Sequence, residues 1–550
     1  MQSKMTAFLD YCGSFVTFLL IFFHVIDFFY YLCRQNIETM DIYEISIHLE
    51  KPNTLRELFP QEKHSHVSLT LSGDLGEDDI RLLTGYSNNS YIDEDTLEEF
   101  YIEESDRWET IDLNLSKIDS KSLERLQFRR IKGLMKLVLP IGYINVNVKD
   151  WFSNDEEVTV CHLVISEGSQ KIGKDSFNGW RSLKDVQFPK SLNKIAPEAF
   201  VGCSSLEAFV FPDGSDHFKV CDGVLFSSDG LMLIAFPPGL ERDEYVIPEG
   251  TTIIAESAFK HNPHIKKVII PKTVVQIQAY AFENCASLKQ IDVAPANYIY
   301  KSSNGILIEK DVPVLLPIDD IYIHERALKI LCVPAAFDKA KFGFNKFGLN
   351  NVLLAHNCFA GCRFVKTFYF NGGAIKPDIY GAFSSANSIE ELTLENVKEM
   401  PNLTWCNKLK ILNIKGYISG SIKDSVSSRY NDALKAVNIE EDAYRANLFY
   451  SVDGVVFTKN HELYFYPPAK EDDKYVVPEN TTNISYWSCI WDNPFIGEVV
   501  LPSSFDLEKI RKEWNVEEPI MSSSITINKY IDGADVKHTT IRFTIKDKTD

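Results

Sequence analysis

Residues 172–188 run IGKDSFNGWRSLKDVQF and residues 195–211 run IAPEAFVGCSSLEAFVF. The register between them is 23, matching Ile172 with Ile195, Phe177 with Phe200, Leu183 with Leu206 and Val186 with Phe209. The same step returns from Ile254 to Ile277, Phe259 to Phe282, Ile265 to Leu288 and Val268 to Ile291. A unit this short cannot bury its own apolar face and does so against the next copy, so the spacing dictates a solenoid of stacked coils. A solenoid presents a long open surface rather than one pocket, which directs attention to binding rather than catalysis.

Each slot of the repeat has a physical task. Leu183, Val186 and Phe188 carry an L-x-x-L-x-L spacing, whose last three positions alternate as in a half-buried strand. Val186 and Phe188 point inward and Asp185 and Gln187 outward. Prolines at 189, 212 and 271 follow several of these strands and end them without loss of a ladder bond. The frame predicts strands near 186–188, 209–211, 268–270 and 291–293, in one continuous parallel sheet. Ala199, Phe200 and Cys203 read as the tight return, with the phenylalanine as core anchor. Imperfect copies include 137–139, 163–165, 368–370, 392–394, 412–414 and 499–501, whereas 320–350 and 415–445 fit no unit.

A longer repeat lies over the first. CDGVLFSSDGLMLIAFPP…YVIPEGTT (221–252) recurs as VDGVVFTKNHELYFYPP…YVVPENTT (452–482), and SSNGILIEKDVPVLLP (302–317) is a weaker copy. Each reads as a β-hairpin island that interrupts the coils and returns the chain to them.

The pattern I-G-x-x-A-F-x-x-C-x-S-L-K-x-V-x-x-P, with its "DGVLF…PP…Y-x-IPEG" islands, resembles the BspA-like leucine-rich repeat family. The resemblance is most specific from about 160 to 310, recognisable from 350 to 505 and weak before 130. It implies an α/β-type repeat solenoid, rich in β-structure. It also implies a surface antigen that binds matrix proteins or other cells. Trp180 and Asn262 depart from the pattern by standing where the return carries Cys.

Composition sets further bounds. The chain has 550 residues, 45% apolar and 12% aromatic, enough for a large core and too aromatic for disorder. A formal net charge of −20 argues against nucleic acid, which needs Lys/Arg stripes, and against simple electrostatic attachment to anionic lipid. Of 11 cysteines, Cys203, Cys285 and Cys362 each stand third after a repeat phenylalanine, as buried packing residues. Cys358 and Cys362 form half of a metal motif with no matching half, and His64/His66 and His261/His264 lack partners at ligand spacing. No nucleophile elbow, P-loop or dinucleotide fingerprint occurs. The expectation is a non-enzyme without cofactor or metal.

Residues 14–33, SFVTFLLIFFHVIDFFYYLC, are about as long as a bilayer core requires, but enclose His24 and Asp27. A membrane anchor or uncleaved signal stands beside a leader preceding a start at Met40; a cleaved signal ranks below both. The chain then divides into 40–130 (divergent repeats or cap), 131–318 (coils with an island), 319–350 (irregular connector), 351–505 (coils with a second island) and 506–550 (a β cap or tail). Sequons fall at Asn88, Asn114, Asn402, Asn480 and Asn483.

The functional expectation is a surface or secreted adhesin-like protein whose partners are matrix or cell-surface proteins. Its alternative is a cytoplasmic scaffold for protein–protein interaction, suggested by the unpaired cysteines. The alternation assigns the binding surface to Asp185, Gln187, Val210, Lys267, Ile269, Gln290, Asp292, Thr367, Tyr369, Glu391 and Thr393, with Tyr369 as aromatic anchor.

Overall fold

The computed structural model describes residues 43–58, 67–76, 79, 91–92, 99–100, 110–118, 134–140, 158–196, 198–318, 321–338, 341–344, 352–371, 383, 386, 388–397, 400–404, 406–416, 422–426, 431–440, 448–485, 490–513, 524–528 and 540–546. The apolar stretch 14–33 lies outside them. The chain forms two compact units, one of residues 1–170 and 186–191, the other of 171–185 and 192–550.

In the first unit, Tyr43–Leu49, Val67–Gly73, Thr110–Ile118, Lys136–Leu139 and His162–Ile165 pair in parallel in that order. Ile45, Leu69, Leu113, Leu137 and Leu163 stand in one row, all buried. Buried Asp79 fixes a turn, its carboxylate accepting from the backbone N–H of Asn53, Leu55 and Gly76 at 2.7–2.8 Å. Those donors lack a ladder partner, and the carboxylate satisfies them.

The second unit repeats the device in longer form. Tyr245, Val268 and Ile291 are successive inward partners of one parallel sheet, and Phe368, Leu392, Leu412 and Val437 of another. All seven are buried. The unit's strands Ala208–Val210, Lys267–Ile270 and Gln290–Val293, and Asp185–Gln187, of which 186–187 belong to the first unit, fall within one residue of the 23-residue frame.

The return turns carry a second stack, a spine of phenylalanine rings. Phe177 lies on Phe200 with ring centroids 5.4 Å apart, Phe259 lies between Phe236 and Phe282 at 5.1 Å from each, and Phe359 lies on Phe383 at 5.4 Å. Backbone bonds also join turn to turn, as from Phe259 N–H to Ala281 O at 2.8 Å and from Phe177 N–H to Ala199 O at 2.9 Å. Two positions in each turn adopt a left-handed backbone. Two residues before the phenylalanine these are Asp175, Glu198, Ser257, Tyr280 and Asn357, and two residues after it Gly179, Gly202, His261, Asn284 and Gly361. Left-handed backbone strains any residue with a Cβ, which explains glycine at three of the later positions.

The third place after the phenylalanine is a hydrogen-bonding slot. The sequence reading took its cysteines as buried packing residues; the structure adds a hydrogen-bond partner to each. Cys203 Sγ lies 3.1 Å from Phe177 O, and Cys285 Sγ 3.0 Å from Phe259 O. Asn262 fills the slot more completely. Its Nδ2 donates to the carbonyls of Pro237 and Pro238 (3.4 and 3.2 Å), and its Oδ1 accepts from His264 and Ile265 N–H (2.9 and 2.8 Å). Asn297 and Asn493 repeat the arrangement, and Asn431 donates likewise to two carbonyls. Trp180 instead fills the space by bulk, edge-on to Phe177 at 5.2 Å.

The islands are three-stranded meanders. Phe218–Cys221, Val224–Ser227 and Met232–Ala235 are matched by Phe449–Val452, Val455–Thr458 and Glu462–Phe465, including a register shift at Leu225/Phe226 and at Val456/Phe457. Each first turn is a two-residue pair with both φ positive: Asp222-Gly223, Asp453-Gly454 and, in the third island, Asn304-Gly305. The turn docks on the strand before the island, with Ile291 N–H bonding Gly305 O at 2.8 Å and Val437 N–H bonding Gly454 O at 3.0 Å. A Cβ on Gly454 would stand 2.8 Å from that of Ala436, so only glycine allows this approach.

The islands also overturn the expected continuous sheet. Within the second unit the parallel ladder is divided into a three-stranded, a five-stranded and a four-stranded sheet. The stretch 319–350, read as an irregular connector, contains Ile321–Cys332, the partner of the long island strand Ile306–Ile318, and Lys341–Phe344, which pairs in parallel with Thr367–Asn371. Ala436–Ile439, in a stretch that fitted no unit, extends the same five-stranded sheet. At the far end Thr540–Ile545 pairs in parallel with Glu498–Leu501 and carries Ser524–Asn528 antiparallel on its other side.

Candidate protein-binding surface

Outward positions exist because inward neighbours are fixed. With Val268 and Ile270 buried, Lys267 and Ile269 must stand on the opposite face. In the sheet of Glu244–Val246, Lys267–Ile270 and Gln290–Val293, four predicted residues come together. Lys267 Nζ lies 3.1 Å from Glu244 and 3.4 Å from Asp292, and Gln290 Nε2 donates to Asp292 Oδ1 at 2.7 Å. Hydrogen bonding to Glu244 raises the Lys267 ammonium above its ordinary pKa. Ile269 stands between Val246 and Asp292 in register.

Val246 was missed. It is 57% exposed, on the edge strand of this sheet beside Ile269. Val476 (55%) holds the same place after the second island, beside Val500. The framing ion pair recurs with polarity reversed: Glu244 with Lys267 at the first, Lys474 with Glu498 at 3.1 Å at the second. The signal was present in the alternation of E-Y-V (244–246) and K-Y-V (474–476), which the sequence reading absorbed into the islands.

Thr367, Tyr369, Glu391 and Thr393 lie together on the five-stranded sheet. The Tyr369 hydroxyl hydrogen-bonds Glu395, and burial followed by that carboxylate raises its pKa. Asn413 Nδ2 donates to Glu391 at 2.9 Å and to Thr393 Oγ1 at 3.3 Å, and its Oδ1 accepts from Asn438. Thr393 corrects the prediction: it is 9% exposed, covered on the outward row by these neighbours, and is unavailable to a partner. Below this row Glu390 bridges Lys366 (2.8 Å) and Lys410 (2.6 Å), which hold its pKa down at about 2. Asp185 and Gln187 are half-buried, and Val210 is 37% exposed.

Among the described residues no group of three or more His, Cys, Asp or Glu converges in a metal-holding arrangement, and no helix is long and apolar enough to cross a membrane. Burial pushes the Cys203, Cys332 and Cys406 thiols up to about 12. Asn480 and Asn483 of the sequons are exposed, and Asn88 lies outside the described residues.

Six copies of the BspA type leucine rich repeat region match residues 149–242 and 234–304. This repeat region belongs to the BspA-type leucine-rich repeat family. The repeat is thus the coil described above, and the slots of the BspA-type unit are its strand, spine and hydrogen-bonding positions. No curated protein matches the chain in sequence. Among solved structures, a leucine-rich repeat protein from Eubacterium ventriosum is 16% identical over 50% of this chain and 72% of its own (TM-score 0.31). A leucine rich cell surface protein from Faecalibacterium prausnitzii is 16% identical over 57% and 85% (TM-score 0.31). The pneumococcal vaccine antigen PcpA is 13% identical over 74% and 81% (TM-score 0.31). Likenesses of this extent assign no role to any residue.

Proposed function

We propose that this BspA-type repeat protein is a non-enzymatic, surface or secreted adhesin-like molecule. It binds matrix or cell-surface proteins through the outward rows of its parallel sheets. The observation that carries this reading is exposed Val246 beside Ile269, framed by Glu244, Lys267 and Asp292. An apolar centre with a charged rim is the common anatomy of a protein interface, and its recurrence at Val476 gives two such patches on one chain. Val210 and Tyr369 extend the same surface.

The test is binding of the full chain to immobilised matrix proteins and to cells, compared with a variant carrying Val246→Ser, Ile269→Ser and Val476→Ser. Loss of binding with an unchanged melt supports the reading. Undiminished binding by the folded variant moves the site to the islands or the return turns. A second reading, an intracellular scaffold, is favoured by the cysteines at 203, 221, 285, 332, 362 and 406, which form no disulfide, since oxidising compartments promote disulfides. Protease treatment of intact cells separates the two, because only a surface protein is cut.

A further inference from the structure

A row of alternating charge runs along the return turns of the second unit. Lys174 Nζ lies 2.8 Å from Glu198, and Lys260 Nζ lies 3.0 Å from Glu198 and 3.5 Å from Glu283 Oε2. The side chains of Glu198, Lys260 and Glu283 are only 12, 16 and 11% exposed. Each inner charge has two opposite neighbours, while Glu283, at the end of the row, has one. Its Oε2 is buried and faces Lys260 Nζ at 3.5 Å, with no second partner among the described residues.

The repeat shows why the row stops. Lys260 and Glu283 both occupy the place after a spine phenylalanine, Phe259 and Phe282. The next such place, after Phe359, is Ala360, which is buried. A methyl group, and no charge, stands at that place beyond Glu283. Glu283 and Ala360 line one cavity of about 280 Å³, beside the third island. Asn357 also lines it, and its Oδ1 is a second buried acceptor, without a hydrogen bond among the described residues. Phe282, Leu307 and Leu331 supply apolar wall.

These features select a ligand. The volume lies just below the range of roughly 300–1,000 Å³ for small-molecule sites, and suits a group of side-chain size. The apolar wall accepts methylenes, and two acceptors, a carboxyl oxygen and an amide oxygen, require N–H or O–H donors. Glu309 and Lys329, register partners of opposite charge, also line the cavity. A planar guanidinium favours both oxygens of a carboxylate, but Glu283 Oε2 already faces Lys260. A compact ammonium, with three donors in different directions, suits two separate acceptors.

We propose that this cavity binds a primary alkylammonium group, supplied either by a free amine or by a lysine side chain of a partner. The test is methyl NMR on the full chain, observing Ala281, Leu307, Leu331 and Ala360 during titration with n-butylammonium, and separately with neutral 1-butanol. Saturable shifts confined to these methyls with the ammonium, and none with the alcohol, are expected. Glu283→Gln should weaken binding about tenfold or more, the loss of one charge-assisted contact. Ala360→Lys should supply the missing cation from within and abolish binding, which keeps the test decisive if the first variant fails to fold. Nα-acetyl-lysine N-methylamide distinguishes the sources: its binding points to a peptidyl lysine, its exclusion alongside butylammonium binding to a free amine. Equal binding of the alcohol, unchanged affinity in folded Glu283→Gln, or no saturable shift in the wild type overturns the proposal.

Discussion

The thiol of Cys203 lies 3.1 Å from the carbonyl oxygen of Phe177 in the preceding coil. Burial keeps that thiol protonated, with its pKa pushed up to about 12, so it serves as a donor across the physiological range. A serine hydroxyl inherits the same acceptor. Cys203→Ser should therefore cost no more than Cys203→Ala, each on the order of 1–2 kcal/mol. Denaturant melts of the pair check the ranking; a markedly less stable serine variant would return the slot to a purely apolar role.

Asn262 makes four hydrogen bonds where Cys203 makes one. Asn262→Ala removes two donors and the acceptor of two backbone N–H groups, each buried group left unpaired costing about 1–3 kcal/mol. The loss should exceed that of Cys203→Ala, and Asn493→Ala should behave alike. Equal melting temperatures for Asn262→Ala and Cys203→Ala would show that the asparagine bonds contribute nothing net.

Phe259 is fully buried and stacks on spine rings on both sides. Phe259→Ala should cost about 3–5 kcal/mol. Because coils contact only their neighbours, amide protection should fall first around Phe236 and Phe282, and persist in the sheet at 411–415. A uniform loss of protection would contradict nearest-neighbour packing.

Glu390 predicts an acid-sensitive contribution. Its folded pKa of about 2 lies below the ordinary 4.5, so its stabilisation is present above about pH 4.5 and is lost as pH falls towards 2. The stability gap between wild type and Glu390→Gln should narrow over that window and shrink with added salt, since the group is exposed to screening. A gap constant from pH 7 to pH 2 would refute the assignment.

The strands were legible because apolar ladder positions recur in fixed register, so Val268 and Ile291 could be paired without coordinates. The divided sheet was not, because pairing at an island depends on where two short hairpin strands dock. Cys203 and Asn262 were placed in one slot, but their shared hydrogen-bonding task was hidden by the difference between a thiol and an amide. The repeated N-P-x-I of Asn262 to Ile265 and Asn493 to Ile496 was the available signal. On the surface, alternation gave direction but not access: it placed Thr393 outward and could not show that Asn413 covers it.

The glycines at 305 and 454 have a consequence for the protein in concentrated solution. Wherever an island divides the ladder, the preceding strand would end in open backbone, a template for joining another molecule's strand. Ile291 and Val437 instead hand an N–H to the hairpin glycine's carbonyl. These two interruptions thereby cover part of the edge they create, a safeguard against edge-to-edge aggregation and fibre growth.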